Sequence, residues 1–266
     1  YGSVSNLGKS VCGVSGGGIA GYLFSGILVG HKSLVTNCVN EGAVSVPNGN
    51  AWAGGIAGTV KGQTVDITAT VSNCENNGLI SSGFIAGGIA GYNSGLGGAY
   101  VYNCYNTGNI AGDTDAGGIV GLHYYSNAEI SNCYNRGLVS DDAQNAGGIV
   151  GLAAYAKLSN CYYIASATVA CGVERNNAQR IDCYSFASEA NVHTLAEEVY
   201  GTTDLLTALR AWVSEKDDPD YLDWAADKQD QDYPIFARTY QVVFYTNGGK
   251  IKGEENYTTY TYGVGL

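Results

Sequence analysis

The sequence has no methionine and only three prolines and three histidines among its 266 residues. Because it lacks Met and begins within a repeating pattern, we expect it to be a piece of a longer polypeptide. No apolar run approaches the ~18 residues that a membrane-spanning helix needs, so we expect no membrane insertion. No export leader is recognisable, but in such a piece its absence says nothing about export.

Charge is also scarce, and positive charge is the scarcer sign. Charged residues make up 14% of the sequence and the formal net charge is −11. Residues 187–239 alone contain 12 acidic and 4 basic residues. No basic stripe is present, which argues against nucleic acid as a partner. Glycine is abundant at 39 residues, but it follows no Gly-x-y period, so collagen is excluded.

What the sequence does contain is an internal repeat. Gly-Gly-Ile-(Ala/Val)-Gly occurs five times at intervals of 37, 33, 30 and 30 residues, at positions 17–21, 54–58, 87–91, 117–121 and 147–151. Asn-Cys recurs out of phase with it at 37–38, 73–74, 103–104, 132–133 and 160–161, with an altered copy at Asp182-Cys183. The first four Asn-Cys pairs are followed by a second asparagine, at Asn40, Asn76, Asn106 and Asn135.

Each repeat consists of short alternating runs, typical of strands, separated by Asn and Gly, which tolerate the backbone of a corner. A unit of this size buries an apolar face only when it stacks on its neighbours. We therefore predict an all-β fold, a right-handed β-helix or β-solenoid of ~30-residue repeats. A β-sandwich would explain the turns but not identical side chains at one position of every unit. Stacking predicts an inward Ile column and a Cys column, formed by Ile19, Ile56, Ile89, Ile119 and Ile149 and by Cys38, Cys74, Cys104, Cys133, Cys161 and Cys183.

These units resemble GLUG-motif repeats, which occur in bacterial surface proteins and in some immunoglobulin A peptidases. The resemblance covers roughly residues 1–165 and implies an exported, cell-surface setting with a scaffold or adhesive role. It implies no catalytic site, because the peptidases work through a separate zinc domain with His-Glu-x-x-His. His31, His123 and His193 do not have that spacing.

The domain organisation follows from a change of pattern after the repeats. We predict a solenoid over 1–186, a helical acidic capping segment over 187–239, and a strand segment over 240–266. Leu195, Val199 and the apolar residues from 205 to 213 recur at helical spacing, with Thr202 or Thr203 as the helix cap and an end near Lys216. We expect this segment to cover the open end of the solenoid. Residues 240–266 resemble the opening of a Listeria–Bacteroides repeat, with a turn at 246–249.

The eight cysteines allow two interpretations. Six share one repeat position, which favours a column of reduced, buried thiols. An exported protein could instead form disulfides, and Cys171 could bridge to Cys161 or Cys183. Cys12 lies outside the column, and the absence of Cys-x-x-Cys makes zinc improbable.

Two further sets are candidate binding sites. An outward aromatic column that would suit sugar rings, or would simply cover the sheet, is predicted for Tyr105, Tyr134, Tyr162 and Tyr184. Equivalent loops, one coil apart, are predicted to hold Asp113, Asp115, Asp141 and Asp142. These carboxylates could share a calcium ion, act as acid and base in cleaving a polysaccharide, or simply be solvated.

We therefore predict a non-catalytic, extracellular, cell-surface module of a larger bacterial protein. The alternatives are a carbohydrate-binding module that uses the Tyr column, and a β-helix polysaccharide-cleaving enzyme. We expect no resident cofactor and a monomer whose partner is a glycan or protein on a host or bacterial surface.

Overall fold

The computed structural model describes residues 4–5, 14–26, 32–47, 49–63, 67–167, 169–189, 191–243 and 257–261. The predictions for Cys12, His31 and the turn at 246–249 lie outside the described residues.

Four sheets run along the repeats. Sheet 1 contains Val4–Ser5, Val44–Val46, Ile80–Ser82 and Ile110–Gly112. Sheet 2 contains Val14–Gly17, Ala51–Gly54, Ile85–Gly87, Asp115–Gly117 and Asn145–Gly147. Sheet 3 contains Ala20–Ser25, Ala57–Gly62, Ala90–Gly95, Val120–Tyr124, Val150–Ala154 and Cys171–Arg175.

Sheet 4 has two limbs joined by the long strand Lys157–Ile164. One limb contains Ser33–Thr36, Ala69–Ser72, Ala99–Tyr102 and Ala128–Ser131. The other contains Val39–Asn40, Glu75–Asn76, Tyr105–Asn106 and Tyr134–Asn135. Beyond Lys157–Ile164 the sheet continues through Gln179–Glu189, Val192–Val199 and Thr202–Asp204.

The chain visits the four sheets in order and then returns to the first, one strand further along, and we call each such pass a coil. Pairing between coils is parallel, and it aligns the same repeat position every time. Ile80, for example, lies between Val44 and Ile110, and Asn106 lies between Asn76 and Asn135. The prediction of an all-β, repeat-stacked chain is confirmed at this level.

The core lies between the sheets and contains the predicted Ile column. Ile56, Ile89, Ile119 and Ile149 are fully buried. The backbone N–H groups of the first three donate to the carbonyl of the equivalent Ile in the next coil, as in Ile89 N to Ile119 O at 2.8 Å. Ile19 differs, since it lies in the coil at the edge of the sheets and is 47% exposed. Each additional coil that stacks on its neighbour therefore extends one continuous apolar core.

The Asn-Cys asparagines turn the chain at one corner of each coil. Asn37, Asn73, Asn103, Asn132 and Asn160 have φ between 50° and 58°, in the left-handed region that Asn tolerates better than most residues. Four of these side chains form a corner ladder, with amide donors bonding to the preceding coil at 2.6–2.8 Å: Asn73, Asn103, Asn132 and Asn160. These hydrogen bonds connect successive coils along this corner.

A second ladder connects the two repeat motifs. Asn40, Asn76, Asn106 and Asn135 bond side chain to side chain at 2.6–2.7 Å. The second glycine of Gly-Gly-Ile packs directly on this inner ladder. A Cβ at Gly88 would lie 2.1 Å from Gly118 O and 2.5 Å from Asn106 Cγ. Any side chain at that position would push neighbouring coils apart, so glycine is required for close approach.

The C-terminal region has one helix, Leu205–Lys216, among the described residues. It ends where the sequence predicts, and Asp217 is left-handed with φ 47°. Its N-cap is Asp204, whose carboxylate accepts from Thr207 N at 2.8 Å, so the prediction of Thr202 or Thr203 is wrong. Asp204 directly precedes the helix, so its carboxylate reaches the free N–H of the third helical residue, as caps require.

Residues 192–204 correct the prediction that helical spacing begins at Leu195. Val192–Val199 and Thr202–Asp204 are antiparallel strands that extend sheet 4. The predicted boundary after residue 186 falls within the strand Gln179–Glu189. Two antiparallel strand pairs follow the helix, one of Trp224–Ala226 with Pro234–Phe236 and one of Thr239–Val243 with Tyr257–Thr261. In the described part of the chain, no helix is long and apolar enough to cross a membrane.

Candidate functional site: the Tyr column and the segment docked on it

The Tyr column forms in register but is not exposed. Tyr105 pairs with Tyr134, Tyr134 with Tyr162, and Tyr162 with Tyr184, while Glu75 occupies the position before them. The rings of Tyr105 and Tyr134 stack at 5.3 Å with an interplanar angle of 4°. Tyr134 and Tyr162 are fully buried and Tyr105 is 4% exposed. Of the two interpretations, an accessible sugar-binding surface is therefore contradicted at Tyr105, Tyr134 and Tyr162.

The column is buried because residues 205–238, here called the docked segment, pack against it. Trp224 lies 5.9 Å from the Tyr105 ring and 5.7 Å from the Tyr134 ring. Phe236 lies 5.3 Å from Tyr105. Tyr134 donates its hydroxyl hydrogen to Pro234 O, and burial raises the pKa of that hydroxyl, which keeps it protonated. Together these contacts make an apolar cluster whose members come from both regions.

The docked segment also continues the hydrogen bonding of the corner ladder. Trp224 Nε1 donates to Asn103 Oδ1 at 2.8 Å. Asn103 Nδ2 donates to Leu222 O at 2.9 Å, and Asn73 Nδ2 donates to Asp220 O at 2.6 Å. The segment therefore covers the side of several coils. This contact with the Tyr column adds to the expected cover of the open end and was not predicted.

Tyr184, at the far end of the column, is half-buried. Beyond it, Phe186 is fully buried, with its ring 6.3 Å from that of Tyr134. His193 and Tyr233 stack at 4.0 Å, and Arg136 lies 4.3 Å above the Tyr233 ring and forms an ion pair with Asp230. This end of the column is therefore also enclosed by residues that the repeat pattern did not indicate.

One edge of the docked segment borders a cleft of about 480 Å³. Its polar groups bond mainly to one another. Tyr105 donates to Glu75 Oε2 at 2.6 Å, Asn77 Nδ2 donates to Glu75 Oε1 at 2.9 Å, and Arg238 lies 3.4 Å from Glu75 Oε2. Thr107 Oγ1 donates to Asn77 Oδ1 at 2.6 Å. Among these contacts, the ion pair of Arg238 with Glu75 joins the docked segment to the repeats.

The four candidate aspartates do not occupy equivalent positions. Asp115 pairs with Asn145, whose Nδ2 donates to the Asp115 carboxylate at 2.6 Å. Asp115 is buried, which raises its pKa, whereas Asp113, Asp141 and Asp142 are exposed. Within the residues that the structure describes, no three His, Cys, Asp or Glu side chains lie close enough to hold a metal ion. The loops at 113–114 and 140–144 are equivalent, because Ile110 pairs with Val139 and Asp115 with Asn145, but Asp115 itself lies in a strand and pairs with an asparagine.

The Cys column lies in the main core. Cys74, Cys104, Cys133 and Cys161 are fully buried, and Cys38 is half-buried. Each thiol lies near the carbonyl two residues before it, as in Cys104 Sγ to Tyr102 O at 3.1 Å. Burial raises the pKa of the Cys133 thiol. All seven cysteines in the described ranges, including Cys171 and Cys183, are free thiols.

A buried polar pair within the core was not indicated by the sequence. His123 and Asn93 both point inward and are fully buried. Asn93 Nδ2 lies 3.2 Å from His123 Nδ1, and His123 Nε2 lies 3.0 Å from Lys157 O. Burial lowers the pKa of His123 to about 4, so the ring is neutral and donates through Nε2. The alternation of side chains along their strands places Asn93 and His123 on the core-facing side, and this alternation is the signal that could have located them.

Comparisons with known proteins assign no family. No family model matches the chain, and no curated protein matches it. A solved crystal structure described as "a putative immunoglobulin A1 protease from Bacteroides ovatus" is similar to it, with 19% identity and a TM-score of 0.45. The match covers 83% of this chain and 74% of that chain. Similarity at this level assigns neither family nor activity to the chain.

Proposed function

We propose that this chain is a right-handed β-solenoid of GLUG-motif repeats that serves as a non-catalytic scaffold or adhesion module in a larger exported bacterial protein. The observation that carries the proposal is the position of the repeated residues. The Ile residues fill the core, the second Gly of each motif allows close approach, and the asparagines form two ladders. The residues that recur from coil to coil therefore serve to fold and stack the coils, as expected of a rigid spacer.

The surroundings of the repeats support a multi-domain, cell-surface parent. The strands Thr239–Val243 and Tyr257–Thr261 pair antiparallel where the sequence resembles a Listeria–Bacteroides repeat. The net charge of −11 disfavours nucleic acid and suits a solvated surface module. We propose a monomer that needs no cofactor and whose partner is a glycan or protein on a host or bacterial surface.

The location is tested on intact cells of the source organism. Antibodies raised against the purified chain should label unpermeabilised cells, and external protease should remove that label. Label that appears only after lysis would contradict the surface assignment. A cytoplasmic marker protein, probed in parallel, controls for leakage.

The non-catalytic role is tested with purified protein and a panel of polysaccharides. We expect no new reducing ends above a control without protein. Release of reducing ends that Asp115→Asn abolishes would replace the scaffold with a polysaccharide-cleaving enzyme. Glu197→Gln is the matched control, because Glu197 is exposed and lies outside the four candidate aspartates.

A further inference from the structure

The outer face of sheet 4 and the loop after the helix enclose a groove of about 490 Å³. This volume is within the range of ~300–1,000 Å³ found for small-molecule sites. One wall is the loop of Asp218–Leu222, and the floor is the row of outward side chains around Tyr100 and Tyr102. The groove lies on the opposite limb of sheet 4 from the buried Tyr column, and the docked segment forms one of its walls.

Aromatic rings form a preorganised platform in this groove. Tyr100 and Tyr102 stack at 5.1 Å with an interplanar angle of 12°. Tyr102 is in turn held at 6.2 Å by both Trp212 and Tyr221, which themselves make an edge contact at 5.1 Å. Tyr100 is the half-exposed end of this array. An aromatic ring held in place loses little entropy when it stacks against a ligand.

Most polar groups around the platform are uncharged. Hydroxyls come from Ser33, Thr36, Thr68, Thr70 and Ser72, and Asn37 adds an exposed side-chain amide. Asp218 and Asp220 supply exposed carboxylates on one wall, and Lys32 is the cation of the lining. A flat apolar surface beside hydroxyl, amide and carboxylate groups matches a pyranose ring, which has an apolar C–H face and a rim of hydroxyls.

We propose that this groove binds a neutral oligosaccharide, with one sugar ring packed on Tyr100 and hydroxyls bonded to Asp218, Asp220 and Asn37. The two carboxylates and the net charge of −11 disfavour uronate or sialylated glycans. The predominance of hydroxyl groups favours a sugar over a cationic peptide. Binding here is separate from the scaffold role, because the apolar core uses neither Tyr100 nor Tyr102.

Calorimetric titration of the complete chain tests the proposal. The probes are hexasaccharides of β-glucan, xylan, mannan and galactan, with an oligogalacturonate and a lysine-rich peptide for comparison. We expect at least one neutral hexasaccharide to bind. Tyr100→Ala should weaken that binding about tenfold, the upper range for loss of one aromatic stack. Tyr155→Ala, which removes a 47% exposed tyrosine elsewhere, should leave it unchanged.

Asp220→Asn provides an independent test, because the Asp220 carbonyl that accepts from Asn73 is retained. This variant should also weaken binding while leaving the melting temperature unchanged, which separates a binding role from a folding role. Failure of every neutral hexasaccharide to bind would overturn the proposal. So would binding that is insensitive to both groove variants, or binding of the oligogalacturonate or the peptide alone.

Discussion

Replacing Trp224 with alanine should remove the centre of the contact between the docked segment and the Tyr column. Trp224 is fully buried, its ring contacts Tyr105, Tyr134 and Phe236, and its Nε1 bonds to Asn103. Truncation of a buried Trp typically costs ~3–5 kcal/mol. Asn103 Oδ1 would keep its bond from Asn132, so the loss of one hydrogen bond adds only about 1 kcal/mol.

Urea unfolding, followed by circular dichroism, measures the free energy of unfolding of Trp224→Ala against the parent chain. Trp224→Phe is the matched control, since it keeps most of the apolar contact and loses only the indole donor. We expect a loss of about 5 kcal/mol for alanine and about 1 kcal/mol for phenylalanine. Losses below about 1 kcal/mol for both variants would refute the docking contact as a main source of stability.

Three further predictions concern the repeats. Gly88→Ala should cost about 3 kcal/mol or more in urea unfolding, because its Cβ would meet Gly118 O at 2.1 Å; Gly49→Ala, with nothing within 4 Å, should be nearly neutral. Burial lowers the pKa of His123 from 6.5 to about 4, so the unfolded chain binds a proton at this residue more readily than the folded chain. The free energy of unfolding should therefore be highest above pH 6.5 and should fall by about 3 kcal/mol in total as the pH is lowered to 4. His123→Gln should remove that part of the acid dependence, and an unchanged pH profile would contradict the buried neutral ring. Thiol titration after denaturation without reductant should find close to eight free thiols, whereas a value near zero would indicate disulfides.

Much of the fold could be predicted because residues at the same position of successive repeats are neighbours in adjacent coils. Identical side chains at one position of every unit can stack only when the units are in register. The Ile column at Ile56 and Ile89 and the ladder through Asn76 and Asn106 follow from this. Helix Leu205–Lys216 was also predictable, because its apolar spacing and its termination at Asp217 are local signals.

The burial of the Tyr column could not be predicted in the same way. Spacing shows that Tyr105 and Tyr134 share a column, but not what covers it. The covering residues, Trp224 and Phe236, lie about a hundred positions away and outside the repeat. The groove at Tyr100 was missed because tyrosine at that position does not recur.

The strand Val192–Val199 was misread for a different reason. Leu195 and Val199 are four residues apart, a spacing that fits one face of a helix and also one face of a strand. The structure shows that His193, Leu195 and Val199 are buried, while Thr194 and Ala196 are exposed. The start of the segment therefore alternates between buried and exposed residues, as a strand does. The pattern is hard to recognise in the sequence because one of the buried residues, His193, is polar.

We propose that the repeated residues are used for folding, and in the structure the docked segment covers the Tyr column. Hydroxyl-radical footprinting of the native chain, read by mass spectrometry, tests it most directly. We expect Tyr134 and Tyr162, both fully buried, to be protected, while Tyr22 and Tyr155, at 51% and 47% exposure, are oxidised readily. Oxidation of Tyr134 and Tyr162 at the rate of Tyr155 would show that the column is open and would contradict the account.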